Sequence, residues 1–173
     1  RLFTRAMKKC GEKRSALILV ATSGDTGKAA LEGYKDIDGV LLKVFYPTDG
    51  VSAMQKLQMQ TQTGANLSVS AIRGNFDDAQ SRVKEIFSSA ECNKVLEEDG
   101  VFLSSANSIN FGRLVPQIVY YFSAYVDMYK CGNIALGEKI DVVVPTGNFG
   151  NIFAAFVAKM MGLPIDKLVC ASN

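Results

Sequence analysis

Strand-like and helix-like patterns alternate along this chain, and that alternation restricts its fold more than any other feature. Six short apolar stretches read as strands: 16–21, 40–46, 67–72, 101–104, 140–144 and 168–171. Several are continuous apolar runs, such as ALILVA at 16–21, as expected for strands covered on both faces. Between them, 26–34, 52–61, 76–88, 111–129 and 151–161 read as helices. Leu114, Ile118, Tyr121, Phe122 and Tyr125 share one face of the longest. Met54, Leu57 and Met59 are core candidates in 52–61, as are Phe76, Ala79, Val83 and Phe87 in 76–88. Strand, helix, strand, helix predicts an α/β protein of three layers, with mostly parallel sheets and helices on their faces. The most loop-like stretch is 132–139, and neither a repeat nor a low-complexity linker interrupts the pattern.

Composition narrows the chemistry. A chain of 173 residues, 48% hydrophobic and 21% charged, suits a sizeable core in one or two domains. The net charge is +2, with Lys and Arg scattered beside acids, so no nucleic-acid partner is expected. No apolar run reaches membrane-spanning length, and no membrane partner is expected. The opening RLFTRAMKK reads as the last turns of a helix, without the apolar stretch of a signal peptide, and the closing KLVCASN as a strand. Both ends therefore read as internal to a longer protein. Cys10, Cys92, Cys131 and Cys170 form no Cys-x-x-Cys pair, which predicts free thiols in a reducing cytoplasm and no metal site. Histidine is absent. No Ser-His-Asp or Cys-His nucleophile can be built within the chain, so protons at neutral pH must move through Lys, Tyr, Cys, a carboxylate or a cofactor.

In parallel sheets ligands gather at the carboxyl ends of strands. Three such junctions are rich in small polar residues. In ATSGDTG (21–27), unpaired N–H groups at a helix start, with the hydroxyls of Thr22, Ser23 and Thr26, would attract an anion. The same residues also suit a capped turn. Neither a Walker A loop nor a Gly-x-Gly-x-x-Gly fingerprint is present, because Ala29 follows Gly27-Lys28 and no glycine stands five residues before Gly27. In SSANSINFGR (104–113), Asn107 to Asn110 can cap the long helix. Arg113 would then lie in its first turns, against the dipole, which points either to a partner anion shared with Ser108 or to an ordinary surface arginine. In PTGNFGN (145–151), Thr146, Gly147, Asn148, Phe149 and Gly150 could wrap backbone N–H groups around a phosphate, with Asn148 and Asn151 adding amides; a plain glycine turn is the alternative. Three anion-friendly strand ends without acidic clusters for magnesium point to a ligand carrying more than one anionic group.

ATSGDTG, SANSINFGR and VPTGNFGN, in this order, resemble the threonine synthase family of fold-type II pyridoxal-phosphate enzymes. The connecting FYPTDGVSAMQKLQMQT and GNFDDAQSRVKEIF extend the resemblance over essentially the whole chain. It implies a tryptophan synthase β-like fold and conversion of O-phospho-L-homoserine and water to L-threonine and phosphate by β,γ-replacement, with pyridoxal 5′-phosphate as electron sink. It also implies that Gly147, Asn148, Phe149 and Gly150 bind the cofactor phosphate. Thr22, Ser23, Asp25 and Thr26 would hold the substrate carboxylate, Ser23 and Thr26 foremost, and Ser108, Arg113 and Asn151 the substrate phosphate.

Related enzymes of the fold type carry Asn at the place of Asp25. A carboxylate beside a carboxylate is repelled unless protonated or turned away, so Asp25 is expected to cap its helix. The family's Schiff-base lysine lies in a Phe-Lys-Asp-like segment expected upstream of Arg1, and the group contacting the pyridine nitrogen is expected downstream of Asn173. Lys28, Lys56, Lys84 and Lys159 read as surface residues of helices. No catalytic residue is assigned within the chain, and the chain alone is expected to be inactive. The resemblance implies a small mobile substrate-binding domain at 14–104, part of a larger cofactor domain at 105–173, and at 1–13 the end of a helix. A dehydratase or a threonine-synthase-like phospho-lyase would keep the fold and cofactor, and a non-catalytic binding module would keep only the fold. Ser108 and Arg113 discriminate, since an unphosphorylated substrate needs no second phosphate grip.

Overall fold

The structure, a computed structural model, describes residues 2–107, 110–147 and 149–172. In chain order the elements are α1 (Leu2–Lys9), β1 (Ser15–Ala21), α2 (Asp25–Tyr34), β2 (Val40–Pro47), α3 (Ala53–Gln60), β3 (Leu67–Ile72), α4 (Phe76–Ser88), α5 (Ala90–Glu98), β4 (Val101–Ser105), α6 (Phe111–Lys130), β5 (Ile140–Pro145), α7 (Gly150–Met160) and β6 (Ile165–Ala171). They form two compact units, Arg1–Asn107 and Ser108–Asn173.

The first unit is built on a parallel sheet of order β3-β2-β1-β4. Successive side chains of a strand point to opposite faces, so the continuous apolar run of β1 feeds two cores at once. Ala16, Ile18 and Val20 join Leu42, Val44 and Tyr46 of β2 under Leu31 of α2 and Met59 of α3. Leu17, Leu19 and Ala21 meet Phe45, Leu103 and the Ala79 and Val83 face of α4. The result is the predicted three layers. Ile18, Leu31 and Leu42 are at most 1% exposed, and each such burial contributes about 1.5–3 kcal/mol.

The second unit pairs β5 with β6 in parallel, with an irregularity between Ile140 and Val142. Leu114, Ile118 and Tyr125 of α6 pack on Ala154 and Ala158 of α7 and on Ile165. Pro116, the sixth residue of α6, lies inside the helix and leaves the carbonyl of Gly112 without its intrahelical donor.

Several expectations are corrected. Coverage on both faces holds for β1, whereas β3, β5 and β6 alternate between half-buried and exposed positions or are largely exposed. Of the three apolar residues proposed for the core of α3, Met59 is buried but Met54 and Leu57 are 63% and 54% exposed. Helix α5 was not predicted, and β6 begins at Ile165 rather than 168. Among the described residues, no helix is long and apolar enough to cross a membrane.

Candidate functional site: three strand-to-helix turns

At the end of β1, Thr22 is 2% exposed, and its hydroxyl is consumed by the turn. Oγ1 accepts from the Gly24 N–H at 3.1 Å and the Gly27 N–H at 3.0 Å, and donates to the Gly24 carbonyl at 3.0 Å. Gly27 has to be a glycine because a Cβ there would lie 2.4 Å from Thr22 Cγ2 and 2.9 Å from Met59 Sδ. Helix α2 therefore starts pressed against the strand end. Its first N–H groups, those of Asp25 and Thr26, precede any intrahelical acceptor. Ser23 is exposed and Thr26 half-buried.

Asp25 does not cap α2, contrary to expectation. Gly24 is the N-cap, without a side-chain bond, and Thr22 already supplies the capping oxygen to Gly27. The Asp25 carboxylate instead accepts from Gln55 Nε2 at 3.0 Å. Gln55 is itself fixed by a capping box with Ser52 at the start of α3. Sequence reasoning did not assign Gln55 a role; the Ser52-x-x-Gln55 spacing was the available signal.

The second turn follows β4. Asn107 is buried, and its side chain mimics a strand partner for Ala21. Oδ1 accepts from the Ala21 N–H at 3.0 Å and Nδ2 donates to the Ala21 carbonyl at 2.7 Å. This extends the β1–β4 pairing beyond Leu19↔Ser105 and pins two strand ends together. Asn110, not Asn107, caps α6, its Oδ1 accepting from the Gly112 N–H at 2.8 Å. Arg113 is the third residue of α6 and is exposed. Ser108 lies outside the described residues.

In the third turn, the Thr146 N–H donates to the Ala171 carbonyl at 2.8 Å, carrying the β5–β6 pairing to its end. A Cβ at Gly147 would meet nothing within 4 Å, so the space beside it is open. Asn148 lies outside the described residues. Phe149 is the N-cap of α7 with φ 60 and ψ −5, a left-handed conformation rare for a bulky residue. A left-handed residue leading into a right-handed helix turns successive N–H groups inward as an anion nest. The first helical bond runs from the Phe153 N–H to the Phe149 carbonyl at 3.0 Å, leaving the N–H groups of Gly150, Asn151 and Ile152 ahead of it. This donor set fits a phosphate group.

Asn151 also joins α7 to α6. Its Oδ1 accepts from the Tyr121 hydroxyl at 2.5 Å, its backbone carbonyl lies 3.1 Å from the same hydroxyl, and its Nδ2 donates to Gln117 Oε1 at 3.1 Å. Burial pushes the Tyr121 phenol up from its ordinary value, so it remains a donor. Gln117 in turn donates through Nε2 to the Arg113 carbonyl at 2.8 Å. Thus Thr22, Ser23, Asp25 and Thr26 share one turn, while Arg113 and Asn151 are linked through Gln117.

A cavity of about 700 Å³ lies elsewhere in the first unit, over the sheet face at Leu17, Leu41, Phe45, Val95 and Leu103, and holds none of the predicted site residues.

Human threonine synthase-like 1 is 48% identical to this chain over 163 residues, 91% of the chain and 22% of that protein. Threonine synthase from Pseudomonas aeruginosa is 42% identical over 173 residues, the whole chain and 34% of that protein. The crystal structure of threonine synthase with bound pyridoxal phosphate from Brucella melitensis matches with a TM-score of 0.77 and 41% identity, over 99% of this chain and 34% of that one. This chain is a homologue of the threonine synthases. It spans 22 to 34% of the length of those curated relatives. No family model matches it. The family that the three motifs resemble is the family of these relatives, and the α/β fold is the fold-type II arrangement of threonine synthase.

Proposed function

We propose that the chain is part of a threonine synthase, a pyridoxal-phosphate-dependent carbon–oxygen lyase that converts O-phospho-L-homoserine and water to L-threonine and phosphate. The observation that carries this reading is the PTGNFGN turn. There left-handed Phe149 opens directly into α7, in a chain 41% identical over 99% of its length to a threonine synthase with bound pyridoxal phosphate. The cofactor, when bound, supplies the electron sink for carbanions. On this reading Gly147, Asn148, Phe149 and Gly150 hold its phosphate through main-chain N–H groups.

The start of α2 holds the substrate carboxylate, through the N–H groups of Asp25 and Thr26 and the hydroxyls of Ser23 and Thr26. Thr22 builds that turn rather than gripping the ligand, since its hydroxyl is already committed. Gln55 draws the Asp25 carboxylate toward α3 and so lessens its repulsion of the substrate. Ser108, Arg113 and Asn151 hold the substrate phosphate. The lysine that carries the cofactor belongs to another part of the protein. Lys28 is paired with Glu32 at 3.1 Å, Lys56 donates to the Thr48 carbonyl, Lys159 donates to the Asp166 carbonyl at 2.6 Å, and Lys84 is exposed on α4. Residues 14–104 form the small domain that closes on substrate and excludes water, and 105–173 belong to the larger cofactor domain. The enzyme acts in cytoplasmic amino-acid biosynthesis.

A second reading, a threonine-synthase-like phospho-lyase, is favoured by the 48% identity to human threonine synthase-like 1. Both readings keep the phosphate grip, and identification of the product separates them. In the full-length protein, Arg113→Ala should raise KM for O-phospho-L-homoserine about 10- to 100-fold, the equivalent of losing one charge-assisted contact, while pyridoxal phosphate affinity changes little. Phosphate release and a visible-absorbance titration measure the two quantities. Loss of cofactor affinity with KM unchanged would mean that the two phosphate assignments are exchanged.

A further inference from the structure

We infer that Gln117 and Tyr121 are positioning residues for the substrate phosphate, acting through the side-chain amide of Asn151. The inference rests on the assignment of Asn151 to that phosphate. An asparagine amide presents a donor on one side and an acceptor on the other, and only the donor side suits a phosphate. A freely turning amide would offer the wrong atom in one of its two orientations. Here the orientation is dictated by a one-way relay. The Arg113 carbonyl can only accept, so Gln117 must turn Nε2 toward it and Oε1 away. Oε1 can only accept, so Asn151 must turn Nδ2 toward Gln117. Oδ1 is then left for Tyr121, whose single hydroxyl proton goes mainly to Oδ1 at 2.5 Å and is shared with the Asn151 carbonyl at 3.1 Å.

Flipping the amide would set Oδ1 against Gln117 Oε1, acceptor against acceptor, and would lose the 2.5 Å bond that Tyr121 donates to Oδ1. Nδ2 carries two hydrogens, and Gln117 takes one. The second is thereby held in a fixed direction at the first turn of α7. The relay starts on the backbone of Arg113, so the guanidinium-bearing residue and the amide that share the substrate phosphate are held in one hydrogen-bonded unit.

The test is a set of variants in the full-length protein: Tyr121→Phe, Gln117→Leu, Asn151→Ala, and each of the first two combined with Asn151→Ala. Three quantities are measured: KM and kcat for O-phospho-L-homoserine by phosphate release, and the Kd for pyridoxal phosphate by absorbance. Tyr121→Phe and Gln117→Leu should each raise KM about 3- to 10-fold, with kcat within about twofold and cofactor Kd unchanged. In the Asn151→Ala background neither should raise KM further, because there is no amide left to orient. A rise in cofactor Kd parallel to KM means that the start of α7 was merely disturbed, and overturns the inference. So does a KM effect that persists in the Asn151→Ala background, or an Asn151→Ala variant with unchanged KM. In that last case Arg113→Ala decides the broader reading separately: a raised KM there keeps the phosphate grip and discards only the relay.

Discussion

A single methyl group separates a helix start from a collision at Gly27. Adding a Cβ would bring it 2.4 Å from Thr22 Cγ2, and Thr22 is held by three hydrogen bonds and a shell of core residues. Gly27→Ala should therefore destabilise the protein by about 1–3 kcal/mol despite the better helix propensity of alanine, because overpacking outweighs propensity at a contact this short. Urea unfolding of the variant measures it; an unchanged midpoint would mean that α2 can tilt away freely.

Glu12 supplies the pH dependence. Hydrogen bonds from Arg14, at 2.8 and 3.0 Å, hold its carboxyl down from 4.5 to about 2. A depressed folded value means that the contribution is fully present above about 4.5 and fades as the pH falls toward about 2. Glu12→Gln should lower stability at pH 6 slightly and narrow its difference from the parent by pH 2; urea midpoints across that range show it. The residue-level reading of the sequence succeeded where hydrogen-bonding roles are local, as for Asn110. It failed at Asp25, where Thr22 took the cap and a glutamine from another helix took the carboxylate. A side chain's partner 30 residues away leaves no trace in local spacing.

Elements were more legible than contacts, because the period of an apolar pattern is a local property. The span of β3 was read as observed, and α4 likewise. Helix α5 escaped because it buries no residue and its two large apolar side chains, Val95 and Leu96, are adjacent rather than one turn apart. Only its ends carried a signal, with Ser89 accepting from the Cys92 N–H and Gly100 at φ 68. The first residues of β6 escaped because Asp166 and Lys167 break the apolar run. The same contrast predicts local stability. β1 is paired on both sides and buried through most of its length, whereas β5 and β6 pair only with each other among the described residues and are largely exposed. Amide hydrogen exchange on the 173-residue chain should be slower in β1 than in β5, since a two-stranded sheet opens more readily. Equal protection would show that α6 and α7 stabilise the pair as well as two flanking strands do.

At the scale of the whole molecule, the proposed function gives this chain ligand-binding turns but places the lysine needed for turnover in another part of the protein. Large apolar side chains stand exposed on α6 and its neighbour α7: Phe111 at 64% and Val119 at 60% on α6, Phe153 at 50% and Met160 at 71% on α7. Faces of this kind are normally covered, and the relatives are roughly three to five times as long as this chain. The lysines of α2, α3 and α7 point their ammonium groups at Glu32, Thr48 and Asp166, none of which belongs to the three turns. The 173-residue chain by itself should therefore release no phosphate from O-phospho-L-homoserine in the presence of pyridoxal phosphate, while the full-length protein does. Borohydride reduction followed by mass measurement should leave the short chain unmodified and add one cofactor to the long one. Turnover by the short chain, or a cofactor fixed to one of its own lysines, would require the missing base to lie within these residues and would undo the assignment of the lysine to another part of the protein.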